Sequence, residues 1–298
     1  MKAIRQDIEL LRILAAFGIV WFHAGRDIYG IGYGGLVAFL ILSVWLAMSS
    51  SSQAIPIGKG IGKRAVRFLV PWAFWMIVFG IRNHVIDRDL IETDRGWING
   101  ILASTNIHLW YLPYMFAILV GLDLVGRKVS KAVLCWGGAA LAIVSLSTAV
   151  LWRPWADAQG FPTVQYLHGF AAVCIGVFFA FAGRLAKGEV GIVFATVVGL
   201  CAHATWKKLD GMGTTYLVGV LAVSVLVWKR IPFPRWLDLS RISQCTFGIY
   251  LVHPLFLRLF ESIRECPKSA EVWMAFACSL SSIALFRRIL PQAARWVV

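Results

Sequence analysis

Charge is scarce in this chain. Only 15% of its 298 residues are Asp, Glu, Lys or Arg, where a soluble domain carries about a quarter. That shortage excludes an ordinary soluble fold. Acidic residues are the scarcer kind, 15 against 29 basic. Cysteine is present but unpatterned. The six cysteines, at 135, 174, 201, 245, 266 and 278, show no CxxC spacing and fall mostly inside apolar runs. They support neither a disulfide framework nor a zinc site. Internal repeats and low-complexity tracts are missing. The longest segment between apolar runs, about 83–106, is too short and too mixed to be a domain of its own.

Apolar residues fill the space that charge leaves. They make up 59% of the chain, and the mean hydropathy is +0.74. Stretches long enough to cross a bilayer recur, so lipid is the expected solvent. Ten spans are expected, at 8–26, 33–51, 68–86, 107–125, 132–152, 167–187, 189–206, 212–229, 244–261 and 272–290. Each should be helical, because irregular backbone in lipid leaves its N–H and C=O groups unpaired. The expected fold is therefore all-α: a polytopic integral membrane protein in which residues 1–298 form a single membrane-embedded domain. Lys2, Arg5 and the first apolar run resemble a signal peptide. Arg12 interrupts that run, however, and no small-x-small site follows Trp21-Phe22-His23, so the first helix is expected to be retained.

The net charge of +14 would suggest nucleic acid in a soluble protein. Its distribution argues otherwise. With the N-terminus in the cytoplasm, 18 of the 29 basic residues fall on the inner side and 10 on the outer, Arg12 being counted apart; only 5 of the 15 acidic residues fall inside. The positive-inside rule then places both termini in the cytoplasm of a bacterial inner membrane, with no nucleic-acid partner. Trp72, Trp75, Trp97, Trp152, Trp155, Trp206, Trp228 and Trp273 lie near expected helix ends, as an aromatic belt requires. Trp21, Trp45 and Trp136 lie deeper and call for a packing role.

The first helix carries two ionisable residues, Arg12 and His23, eleven positions apart. At 3.6 residues per turn they share one face within roughly 20° and stand about 16 Å apart along the axis. Aligned groups of this kind should face a bundle interior or a wet cavity. The alternative is that Arg12 snorkels to the inner headgroups while His23 reaches the outer interface.

This segment resembles the opening of the membrane acyltransferase 3 family, an arginine followed after ten residues by a histidine. The family's Leu-Asp-Gly-Leu-Arg lead-in stands here as Ile8-Glu9-Leu10-Leu11-Arg12, with Leu10 in place of glycine. Lys63-Arg64-Ala65-Val66-Arg67-Phe68-Leu69-Val70-Pro71 resembles the family's basic RxxR start of the third helix. His108-Leu109-Trp110-Tyr111-Leu112-Pro113 and Phe247-Gly248-Ile249-Tyr250-Leu251-Val252-His253-Pro254 are similar to two later segments. Leu42-Ser43-Val44 stands where the family has Leu-Ser-Gly, which leaves the closeness of approach to Ser43 open. The resemblance implies transfer of an acyl group, commonly acetyl from acetyl-CoA, to a hydroxyl of an envelope or exported polysaccharide or its lipid-linked precursor.

The residues are compatible with that chemistry on their own terms. Lys63, Arg64 and Arg67 form a basic cluster on the inner face, where CoA and its phosphates are found, and the arginine fork suits phosphate. The same cluster would also satisfy the positive-inside rule and meet anionic lipid. Arg12 is expected to hold a phosphate or the pantetheine amides, or to pair with Glu9 when the site is empty; Ser43 joins this donor-binding set. His23 suits a general base, since neutral imidazole titrates near physiological pH. His253 is its rival. Pro254 frees the carbonyl of Tyr250, so His253 either satisfies that carbonyl or contacts the acceptor beside Tyr250. Trp110 and His108 either bind sugar or anchor the interface. His84, His168 and His203 match no motif and are expected to be packing or loop residues. No metal is called for. A transporter or flippase of a lipid-linked sugar is the competing class, and a membrane scaffold a third. Acyl length, acceptor and oligomeric state are not specified by the sequence.

Overall fold

The computed structural model describes residues 5–25, 27, 29–50, 56–91, 96–234, 236–263 and 268–298, with backbone alone at Lys268 and Ser269. Cys266 and five of the basic residues in the charge count, Lys2, Arg26, Arg95, Arg235 and Arg264, lie outside the described residues. The fold is all-helical, with no strand among the described residues. In chain order the helices are α1 (Gln6–His23), α2 (Gly34–Ser49), α3 (Ile57–Val85), α4 (Trp97–Ala103), α5 (Tyr111–Gly126), α6 (Lys131–Ser147), α7 (Ala149–Gln159), α8 (Thr163–Phe181), α9 (Lys187–Trp206), α10 (Thr214–Trp228), α11 (Ser240–Ser243), α12 (Thr246–Glu261), α13 (Lys268–Ile289) and α14 (Pro291–Val297).

Among the described residues, five helical stretches are long and apolar enough to cross a membrane: Ile57–Val85, Ile107–Gly126, Thr163–Arg184, Lys187–Trp206 and Ala270–Ile289. The expected 132–152 span is instead a broken pair, α6 and α7, bent by 75°. α2 and α10 are apolar but shorter. α1 carries Asp7, Glu9 and Arg12 in its first half, and α12 has 16 residues. α3 starts at Ile57 rather than near 68, so Lys63, Arg64 and Arg67 stand on the helix itself. Hydropathy reports the bilayer, whereas lysine and arginine are good helix formers that carry a helix beyond it.

The chain groups into two compact units. The first comprises residues 1–43 with 191–296 and 298. Here α1 packs on α10, α11, α12 and α13, and small residues let backbones approach closely. A Cβ on Gly35 would lie 2.4 Å from the Ala15 carbonyl oxygen, and one on Gly18 would lie 2.8 Å from that of Gly32. Gly248 of α12 sits as tightly against Ile283 of α13. The foot of α1 is tied down by polar groups. Arg5 donates to Asp7 at 2.6 Å and to the Leu226 carbonyl at 2.7 Å, and the Leu239 amide donates to Gln6 at 2.8 Å. Burial works to raise the Asp7 carboxyl, yet the Arg5 guanidinium and the amides of Ile231 and Ile8 together hold it below the usual carboxylate value.

The second unit comprises residues 44–190 with 297. Its tightest pair is α6 and α8: a Cβ on Gly138 would meet the Cys174 carbonyl oxygen at 2.8 Å. The segment before α5 is pinned to α3 by Asn83 donating to the Thr105 carbonyl at 2.9 Å, and by Thr105 Oγ1 donating to the Met76 carbonyl at 3.1 Å.

Candidate active site

Two histidines far apart in sequence meet in the first unit. His23 ends α1, and the packing of α1 on α12 sets its ring against His253, with centroids 5.1 Å apart and planes inclined at 43°. His253 is fully buried. Its Nδ1 lies 2.8 Å from the Tyr250 carbonyl oxygen and 3.2 Å from that of Ile249. Carbonyls only accept, so Nδ1 carries the hydrogen, and a neutral ring then holds its lone pair on Nε2. The reason lies one residue on. Pro254 has no N–H, so the Tyr250 carbonyl loses its helical donor, and His253 supplies one. α12 continues unbroken through Pro254. The Tyr250 ring, nearly buried, lies 6.2 Å from that of His253.

His23 is in a different condition. It is partly exposed, and its ring nitrogens make no hydrogen bond to a described residue. Arg12, on the same helix, is also partly exposed and pairs with Glu9, Nη1 to Oε2 at 3.2 Å. Ser43 lies half-buried on α2.

In the second unit Lys63, Arg64 and Arg67 of α3 divide. Arg64 Nη1 lies 3.0 Å from Asp123 Oδ2, and Arg127 Nη2 lies 3.4 Å from the same oxygen. Asp123 is buried on the otherwise apolar α5, where a carboxylate requires a cation. Lys63 and Arg67 are exposed. The Arg67 guanidinium stands 5.6 Å above the neighbouring Phe68 ring.

His108 and Trp110 are both buried in a 3₁₀ turn ahead of α5. His108 Nδ1 lies 2.9 Å from Asn106 Oδ1, and its ring meets Phe79 of α3 edge-on at 5.2 Å. Trp110 packs on Tyr114 of α5 at 5.4 Å and on Tyr166 of α8 at 6.0 Å, and these two tyrosines lie 5.0 Å apart. His84 and His203 are exposed, and His168 is buried on α8. Among the described residues, no group of three or more His, Cys, Asp or Glu side chains comes together as metal ligands would.

The family model described as an acyltransferase domain, that of acyltransferase 3, matches residues 5–286. The chain belongs to the membrane acyltransferase 3 family. No curated protein and no solved structure is similar enough to it to match.

The match covers every residue considered above, so this acyltransferase works on an acyl donor and an acceptor in a lipid bilayer. Several residues of its polar clusters do not stand out in the sequence motifs. Asp123 is one. A lone carboxylate in an apolar run does signal a buried partner, and here Arg64 and Arg127 answer it. Tyr114 and Tyr166 carry no such signal, because each is ordinary in a membrane helix until its neighbours are known.

Proposed function

We propose that this acyltransferase moves an acyl group, acetyl from acetyl-CoA, to a hydroxyl of an envelope or exported polysaccharide or its lipid-linked precursor, with His23 as general base. The observation that carries the reading is the condition of the His23 ring, which lies on the helix that also bears Arg12: it is partly exposed, its nitrogens make no hydrogen bond to a described residue, and it is held against His253 of α12. In this reading the protein is one membrane domain of ten spans in a bacterial inner membrane, with both termini cytoplasmic.

The reaction in this reading runs as a direct transfer. The acceptor oxygen attacks the thioester carbonyl carbon as His23 takes its proton, and a tetrahedral centre forms. The C–S bond then breaks, and the thiolate leaves and takes the proton from His23, giving the ester and free CoA. A thiolate is a good leaving group, so no second strong acid is required. Lys63 and Arg67, exposed near the cytoplasmic start of α3, are free to meet the phosphates of CoA. Arg64 is held by Asp123 at 3.0 Å, and Arg12 and Ser43 serve the donor as well. Tyr250, His253, Trp110 and His108 serve the acceptor.

Substituting His23→Ala should lower acetyl transfer by about 10²–10⁴-fold with the amount of membrane protein unchanged. The measurement is acetyl release from labelled acetyl-CoA by purified protein and acetylation of exported glycan in cells. Normal transfer by the variant would remove His23 from the role. Family membership weighs against a transporter or flippase, which would bind no acyl-CoA at all.

A further inference from the structure

The cluster of Trp110, Tyr114 and Tyr166 contains polar atoms that the protein leaves unused. Tyr114 is only 5% exposed, yet its hydroxyl is buried without a hydrogen-bond partner among the described residues, and so is the hydroxyl of Tyr166. The indole N–H of Trp110 makes no hydrogen bond to a described residue. Buried polar groups are nearly always paired, and each orphan is costly. Several in one small cluster, all within the second unit, indicate a missing partner rather than an accident of packing.

The fold has made room for this arrangement. Gly169 of α8 faces the Tyr114 ring, and a Cβ there would lie 3.0 Å from Cε1 and 3.2 Å from the hydroxyl. A Cβ at this position would require the Tyr114 ring to give by a few tenths of an ångström. Tyr166 stands three residues before Gly169, so it shares the same side of α8. The rings approach within 5.0–6.0 Å of one another across two helices and the preceding turn.

The chemistry on offer is neutral. Two phenols and an indole N–H supply both donors and acceptors, with aromatic faces beside them. A phosphate would need cations, which this set does not supply. An acyl chain would leave the hydroxyls unpaired. A sugar ring fits, because its C–H face packs on aromatic rings while its hydroxyls both donate and accept. In the proposed topology the starts of α5 and α8 lie on the outer side, where a glycan arrives and CoA does not. We propose that Trp110, Tyr114 and Tyr166 form the subsite that binds a neutral sugar ring of the acceptor. This proposal takes the occupant's role as acceptor from the acyl-transfer reading.

The experiment uses the full chain in lipid nanodiscs, with saturation-transfer NMR against the methyl glycosides of glucose, galactose, mannose and N-acetylglucosamine and, separately, pantetheine. At least one glycoside should receive saturation from the wild type. Tyr114→Phe and Tyr166→Phe should each weaken that binding about tenfold, the worth of one hydrogen bond. Both substitutions should also raise the melting temperature of the empty protein, since they delete an unsatisfied buried hydroxyl. A tyrosine with a purely structural hydrogen bond would shift melting downward, so the direction of the shift keeps the test informative even if glycoside binding is weak. Three results would overturn the proposal: no glycoside bound, binding equal in wild type and both variants, or a variant-sensitive signal from pantetheine alone. A downward melting shift in both variants would count against it as well. Acetyl-CoA turnover by the wild type is read in parallel. Turnover without glycoside binding defeats the subsite and leaves the acyl-transfer reading standing; glycoside binding without turnover does the reverse.

Discussion

At the scale of the residue, His253 shows how one ring serves two purposes. Its Nδ1 hydrogen caps the carbonyl that Pro254 leaves bare, which fixes the ring and the tautomer together. Replacing it by leucine should destabilise the protein by about 1–3 kcal/mol, the usual consequence of a buried acceptor left unpaired. Asparagine offers a donor where Nδ1 stood and nothing where Nε2 stood. His253→Asn should therefore recover most of the stability lost in His253→Leu, read by thermal unfolding in nanodiscs. If the two variants melted alike, the carbonyl bond would not be what the ring supplies. The transfer rate of His253→Asn then isolates what Nε2 adds beside His23. The spacing of Arg12 and His23 on one helix was legible from sequence, because helical geometry alone sets it. The partner of His23 was not, since it comes from a helix more than two hundred positions on.

At the scale of the element, close backbone contact decides where α1 lies. Gly35 and Gly18 admit no Cβ without moving a backbone oxygen of the facing segment. Gly35→Ala should cost about 1–3 kcal/mol, as overpacking does, and should also lower transfer, because α1 carries His23. Gly121→Ala on α5 is the control, since a Cβ there meets nothing within 4 Å and should leave melting unchanged or slightly raised. Equal effects from the two substitutions would mean that helix propensity, and not the crossing, is being measured. Element positions were largely readable, because an apolar run of given length in lipid has to be a helix. The 75° break between α6 and α7 was not. No proline or glycine marks it at Thr148, and both halves are apolar, so a window of hydropathy runs straight across.

At the scale of the whole molecule, the asymmetry of basic residues is the strongest signal. It predicts that a green fluorescent protein fused after Val298 will fold and fluoresce in the cytoplasm, and that alkaline phosphatase fused after Asp89 will be active outside it. An active phosphatase at the C-terminus instead would invert the topology. The acyltransferase family match runs through both compact units.

Composition, run length and motif order were enough by themselves to establish an all-helical membrane acyltransferase, because lipid leaves the backbone few alternatives and the motifs lie in fixed sequence. They left open which side chains face one another. In water an amphipathic stripe tells a helix which face to bury; in a bilayer both faces are apolar, and packing rather than polarity selects the inward one. Only the tertiary structure therefore decided that His23 meets His253, that Arg64 is held by Asp123 while Lys63 and Arg67 stay exposed, and that Trp110 closes on Tyr114 and Tyr166.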